Sequence, residues 1–237
     1  MDWAQATAWN VGIVSLFGGL ITLDRRNAFQ LVLSQPLVVV TILGLIFGQL
    51  EISVWLGALL QLLWMSSMLF GANVPENETV ASVIIAGTYF VIRPTTELPD
   101  AALFSLILLL GVPFSSIGRK VDIKLDKQNL ELVVRAEKMV AEDRTQRLFN
   151  LGIIGLFRAF IAHGLTVAVG LVLCLYITDW VVPYLSPSII EGLAIAGMYV
   201  IPSLGLAVTI VMLRTRRAMA LATMVFSIIV LLLTQSR

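Results

Sequence analysis

Charged residues are scarce in this chain. Only 13% of its 237 residues are charged and 58% are hydrophobic, whereas a soluble domain carries about 25% charged and about 45–50% apolar residues. So few polar side chains cannot cover the surface of a globular particle in water. The net charge of +1 offers no field that would attract nucleic acid. The composition therefore excludes a soluble globular protein, a disordered chain and a nucleic-acid binder, and it indicates a polytopic membrane protein.

Cysteine and histidine are almost absent. Cys174 is the only cysteine, which excludes an internal disulfide and a multi-cysteine metal site. His163 is the only histidine and has no carboxylate near it in the sequence, while Arg158 lies on another helical face. We expect Arg158 to extend toward the membrane interface. The chain also lacks nucleotide-binding and metalloprotease motifs, so we expect no metal, no cofactor and no enzymatic activity of its own.

Long intervals without charge divide the chain. Most are near the roughly 20 residues that a spanning helix needs, although 79–92 is too short to span alone. The fold class predicted is an all-α polytopic membrane protein with about eight membrane-embedded helical segments, in a single membrane domain over 1–237. The intervals are 3–23, 27–50, 52–75, 79–92, 101–118, 159–178, 192–213 and 218–236.

Proline interrupts several of these intervals. Pro36, Pro113 and Pro202 each remove a backbone hydrogen bond that lipid cannot replace. Ordinary kinks are one interpretation, and broken or re-entrant helices around a substrate site are the other.

One segment, 119–147, is strongly charged, with eight basic and six acidic residues. From Gln128 onward its composition favours an amphipathic helix at the membrane surface or against a partner. It separates the helices of 1–118 from those of 148–237. The positive-inside rule places 119–147 and 214–217 in the cytoplasm, and 93–100 and 179–191, which carry mostly acidic charges, outside.

Polar side chains cluster within the apolar stretch 57–82. Amides and carboxylates bind hydroxyl groups as donors and acceptors, and an indole ring packs on the apolar face of a sugar. These residue types predict a sugar site, with candidates Gln61, Trp64, Asn73, Glu76 and Asn77. The alternative is a polar loop at the membrane interface, with the tryptophan in the aromatic belt.

The same region resembles a known family, the enzyme IIC membrane subunits of mannose/fructose/sorbose-type sugar phosphotransferase systems. The similarity extends into the charged segment and covers most of the chain in order. Gln35, Gln49 and Glu76 replace a basic residue, an acidic residue and a proline of the family pattern, as in a divergent member. The matching pieces are LD at 23–24, QPLV at 35–38, GLIFG at 44–48, GALLQ at 57–61 and GANVPEN at 71–77.

The resemblance implies a sugar-translocating subunit in the bacterial inner membrane. Such a subunit works in an oligomeric complex with a IID membrane subunit, while soluble IIA and IIB subunits carry the phosphate. IIB then phosphorylates the sugar at the cytoplasmic side. Two other functions stay open from the sequence. One is a non-transporting scaffold or sensor that binds a partner through 119–147, and the other is a secondary transporter that couples to ions through Glu76 or Arg158.

Overall fold

The computed structural model describes residues 3–28, 30–65, 74–142, 148–212 and 224. Every regular element within these residues is helical, which confirms the all-α prediction for them. Short 3₁₀ turns at Arg93–Thr95 and Val182–Tyr184 and a π-helical turn at Ala196–Val200 join some of the helices. The α-helices are α1 Trp3–Arg26, α2 Pro36–Ile46, α3 Leu50–Leu63, α4 Glu78–Ile92, α5 Asp100–Gly111, α6 Pro113–Ala141, α7 Leu148–Val181, α8 Pro187–Ile195 and α9 Ile201–Met212.

Helices of membrane-spanning length occur in the second half of the chain. Among the described residues, three apolar helical stretches are long enough to cross a membrane: Asp100–Ala141, Leu148–Tyr184 and Pro187–Met212. Two shorter apolar helices, α2 and α3, accompany them. A helical membrane protein is therefore supported, and the figure of eight embedded segments stays a prediction.

Helices α2 and α3 form an antiparallel hairpin. At its open end the Gln61 side-chain amide nitrogen donates to the Gln35 side-chain oxygen over 2.9 Å. At its tip Gly48 adopts a φ of +68°, a conformation that glycine tolerates. A Cβ on Gly57 would lie 3.0 Å from the Leu37 carbonyl oxygen, so a glycine lets the two backbones approach. The chain thus enters and leaves this hairpin at one end of the bundle, and whether the hairpin is re-entrant in the membrane stays a prediction.

Helix α4 forms the centre of the bundle, and nearly all its side chains are buried. Helices α1, α2, α5, α6 and α7 all pack against it. Helix α2 runs parallel to α4, because Thr79 Oγ1 donates to the Ser34 carbonyl oxygen at one end and Phe47 stacks on Phe90 at the other. The tip of the α2–α3 hairpin therefore lies beside the last turn of α4.

Of Pro36, Pro113 and Pro202, only Pro36 marks the start of a separate helix, because Gln35 before it is extended and a missing N–H in the first turn costs no helical hydrogen bond. Pro113 lies within the continuous helical stretch Asp100–Ala141, where Val112 before it is helical and α5 passes into α6. Pro202 follows the π-helical turn. Near that turn, the Ser105 hydroxyl donates to the Leu193 carbonyl oxygen over 2.8 Å.

The charged segment differs from its prediction. It is not a separate amphipathic helix that begins near Gln128, because α6 runs without a break from Pro113 to Ala141. Leu132 is buried close to Gly155 of α7. The predicted apolar face is exposed at Leu130, Val133 and Val134. The helix continues through the change in composition because its residues are good helix formers and its buried acid, Asp122, has partners.

Candidate functional site

Four ionisable side chains from four helices meet in the interior. Arg25 of α1 donates to both carboxylate oxygens of Glu78 at the start of α4, over 3.1 and 2.9 Å. Arg25 also donates to Asp122 of α6 over 3.0 Å. His163 of α7 lies 3.1 Å from the second Asp122 oxygen through its Nε2 atom. Arg25, Glu78, Asp122 and His163 are called the ionic cluster below.

The ionic cluster is shielded from solvent. The side chains of Arg25, Asp122 and His163 are 5%, 6% and 1% exposed, and that of Glu78 is 13% exposed. Charges at this depth persist only when they are paired and hydrogen-bonded, and in membrane proteins such groups are usually functional. His163 Nδ1 is buried and has no hydrogen-bond partner among the described residues.

Asn77 connects the ionic cluster to the loop before α4. This residue is completely buried. Its amide nitrogen donates to Asp122 over 3.0 Å, and its side-chain oxygen accepts from the Val80 backbone N–H over 3.0 Å. Asn77 is thus the N-cap of α4, one of the residue types preferred there. Both ends of the side chain are occupied by protein groups.

Glu76 is anchored beside it. Its two carboxylate oxygens accept from the hydroxyls of Ser115 and Ser116 over 2.8 and 3.0 Å. Its carbonyl oxygen accepts from Arg25 over 2.7 Å. The segment 76–78 is therefore held by α1 and by the first turns of α6.

The other predicted residues lie at the end of α3. Gln61 is half-buried, bonded to Gln35, and accepts from the Leu37 backbone N–H over 3.3 Å. Trp64 follows the last residue of α3, and its indole Nε1 is buried with no hydrogen-bond partner among the described residues. Asn73 lies outside the described residues.

The structure brings the two groups of candidates to one end of the bundle. The segment 34–37 joins them, because Ser34 bonds Thr79 near Asn77 and Gln35 bonds Gln61 near Trp64. A polar loop at the surface does not describe Asn77, which has no exposed area. Gln61 and Glu76 are partly exposed and can offer an amide and a carboxylate to a polar ligand, whereas Asn77 and the Trp64 Nε1 atom are buried.

Sequence reasoning missed the ionic cluster. His163 has no carboxylate near it in the sequence, but Asp122, 41 positions away, lies beside it in space. Asp122 enters the sequence prediction only as one charge of the segment 119–147, and Arg25 is not among the candidate site residues. One sequence signal could have found them, since each is a charge next to a long apolar interval, where burial demands a partner. Arg158 NH1 lies 3.4 Å from the Gln128 carbonyl oxygen, so it contacts α6 rather than standing alone.

Metal binding finds no support in these residues. Within 3–28, 30–65, 74–142 and 148–212, no three His, Cys, Asp or Glu side chains are grouped so that they could hold a metal ion. Cys174 is a buried free thiol in the apolar core, where it packs with the helices around α4.

The fold and the ionic cluster define a helical membrane protein with a polar centre among apolar helices. The chain belongs to the family described as the sorbose-specific IIC component of the phosphotransferase system (PTS), which matches residues 8–235. It is thus a transport component of a sugar phosphotransferase system, as the resemblance in sequence predicts.

Two solved structures share the fold at low sequence identity. One, titled as the structure of a membrane protein, is 19% identical, covers 94% of this chain and 85% of its own, and has a TM-score of 0.66. The other is a complex of the mannose transporter ManYZ with microcin E492. It is 20% identical over 96% of this chain and 87% of its own, with a TM-score of 0.59. No curated protein matches this chain significantly.

Proposed function

We propose that this chain binds a hexose-like sugar and carries it across the bacterial inner membrane as the IIC subunit of a mannose-type phosphotransferase system. Family membership over 8–235 supports this role. The observation that carries the proposal is the convergence of the α2–α3 hairpin and the segment 76–78 at one end of the bundle. Polar groups in apolar surroundings need protein, water or ligand partners, and a sugar supplies many hydroxyls.

The sugar pocket of this proposal is lined by Gln61, Trp64, Asn73, Glu76 and Asn77. The buried Trp64 Nε1, which lacks a partner among the described residues, is a donor for a sugar hydroxyl. Gln61 offers a second amide, already oriented by Gln35. Asn77 and Glu76 form the fixed wall, because Asp122, Ser115 and Ser116 hold them.

The partners follow from the family and from one structural neighbour. A IID membrane subunit would complete the transporter, and soluble IIA and IIB subunits would carry the phosphate. In support, the structural neighbour titled ManYZ is a mannose transporter. IIB would phosphorylate the sugar at the cytoplasmic end of the bundle, so this chain needs no phosphoryl-carrying residue.

A reconstituted system tests the pocket. In vesicles that contain this chain with IID, IIA and IIB, Gln61→Ala should weaken sugar binding by between about two- and tenfold, the equivalent of one neutral hydrogen bond at about 0.5–1.5 kcal/mol. Gln128→Ala, on the exposed face of α6, is the matched control and should leave binding unchanged. Binding is measured with labelled hexoses, and melting temperature checks the fold.

The same vesicles separate the proposal from its alternatives. Sugar uptake that requires all four subunits supports the phosphotransferase role. Uptake by this chain alone, driven by an ion gradient, would show a secondary transporter instead. Absence of sugar binding in the complete complex would leave the scaffold or sensor as the function.

A further inference from the structure

A second cavity, of about 620 Å³, lies at the tip of the α2–α3 hairpin. Gln49 at this tip contacts the Phe90 carbonyl oxygen, two residues before α4 ends, whereas the ionic cluster lies where α4 begins. The cavity is therefore at the opposite end of the bundle from the proposed sugar pocket. Its lining residues are Gly48, Gln49, Leu50, Glu51, Ile52, Trp55 and Asp100.

Hydrogen-bond acceptors are available in this cavity. Asp100, the first residue of α5, is fixed because its Oδ1 accepts from the Tyr89 hydroxyl over 2.7 Å and pairs with Arg93. Its Oδ2 has no partner in the described part of the chain, and neither has the exposed carboxylate of Glu51. The Gln49 amide is held only by a long bond of 3.5 Å. These groups can accept hydrogen bonds from a ligand without losing an existing partner.

An aromatic ring stands beside these acceptors. Trp55 follows Glu51 by four residues, so both side chains lie on one face of α3. Its ring is held edge-to-face against Phe104, with 5.9 Å between centroids, and the residue remains 38% exposed. A positioned ring with a few oriented polar groups is the usual composition of a small-molecule site.

The chemistry of the cavity favours a neutral polyhydroxylated ligand over a metal ion. A metal ion would need more oxygen or nitrogen ligands, and no group of three such acidic, His or Cys side chains occurs in the described residues. Carboxylates accept strong, charge-assisted hydrogen bonds from hydroxyl groups. The indole face covers the apolar C–H surface of a sugar ring. A hexose satisfies both features together.

We propose that this cavity is a second sugar-binding site, which receives the sugar at the end of the bundle where α4 ends and α5 begins. The choice of a sugar rests on the proposed function, but the site is distinct from the pocket at Gln61. This end is expected outside by the positive-inside rule, because 93–100 carries one basic residue whereas 119–147 carries eight. Sugar arriving from outside would then meet this site first.

Binding stoichiometry tests the second site. Equilibrium binding of labelled hexoses to the chain with its IID partner in nanodiscs should show two sugars per chain. Trp55→Ala and Glu51→Gln should each weaken the second site by about tenfold, the loss expected for one charge-assisted or stacking contact of about 1.4 kcal/mol. Gln61→Ala should weaken only the other site.

Matched controls come from the same end of the bundle. Trp180 is an exposed tryptophan near the end of α7, paired with Tyr184, and Glu97 is an exposed acid before α5. Trp180→Ala and Glu97→Gln should leave both sites intact. Melting temperatures show whether each variant folds.

The outcomes separate the two proposals. Loss of the second site in Trp55→Ala, together with its retention in Gln61→Ala, supports the inference. Three outcomes would overturn it. Both sites could persist in Trp55→Ala and Glu51→Gln, or the chain could have a single site that Gln61→Ala abolishes. The Trp180 and Glu97 control variants could also lose as much binding as the test variants. A single site that depends on Trp55 and not on Gln61 would instead overturn the pocket of the proposed function.

Discussion

Asp122 accepts hydrogen bonds from Arg25 and Asn77, and its second carboxylate oxygen lies close to His163. Arg25, Asn77 and His163 lie 3.0, 3.0 and 3.1 Å from its oxygens. Removal of the carboxylate would deprive the buried Asn77 amide and His163 of this partner. It would leave Arg25 with only Glu78 and the Glu76 carbonyl oxygen. A buried charge without compensation is far more costly than an exposed one.

We therefore expect Asp122→Ala to lower the free energy of unfolding by about 3–5 kcal/mol. Asp126, one turn along α6, is the control, because its pair with Arg26 is 3.0 Å long but its side chain is 51% exposed. Asp126→Ala should cost about 1 kcal/mol or less. Denaturant titration in detergent measures both. Equal stability of the two variants would show that the ionic cluster does not stabilise the fold.

The contacts within the ionic cluster could not be predicted from a single sequence. Its members are separated by tens of residues, and local patterns such as i,i+4 pairs report only on neighbours within a helix. The apolar intervals predict that each charge buried between them needs a partner. The identity of that partner depends on how the helices pack, which the sequence does not show. The candidates at Glu76 and Asn77 were found because they stand together in one short polar stretch.

At the scale of elements, the α2–α3 hairpin depends on close backbone contact. Gly57→Ala would place a methyl group 3.0 Å from the Leu37 carbonyl oxygen, so the two helices must separate. We expect a loss of about 1–3 kcal/mol of stability, typical of overpacking. Gly12→Ala is the control, since a Cβ there meets no atom within 4 Å. A thermal shift assay compares them, and a Gly57→Ala variant as stable as Gly12→Ala would contradict the close packing.

Helix boundaries and helix continuity both departed from the charge-free intervals. Pro36 stands inside one interval, yet it begins α2, because proline lacks the N–H that only later turns require. The change from apolar to charged residues at 119 looked like a boundary, yet α6 passes through it. The composition of a helix reflects whether lipid, protein or water surrounds it. A helix continues as long as its backbone hydrogen bonds and helix propensity are maintained, and neither changes at residue 119.

For the whole molecule, the two ends of the bundle should face opposite sides of the membrane. Lys127 lies on the exposed side of α6 beyond the ionic cluster, and Tyr184 is 76% exposed after α7. In a Cys174→Ser background, Lys127→Cys should react with an impermeant thiol reagent only from the cytoplasm and Tyr184→Cys only from outside. Labelling of both from one side would falsify the orientation that the positive-inside rule predicts.

The α2–α3 hairpin also has a consequence for biosynthesis. Helix α2 has 11 residues, a length of about 16 Å, and cannot cross a hydrocarbon core of about 30 Å by itself. Its partners Thr79 and Phe90 are synthesised later than the hairpin. The hairpin must therefore wait at the membrane surface or in the insertion machinery until α4 emerges, so the order of insertion differs from the order of translation. A chain that ends before residue 78 and has been released from the ribosome should leave the hairpin accessible to protease, whereas a released chain that extends past residue 92 should protect it.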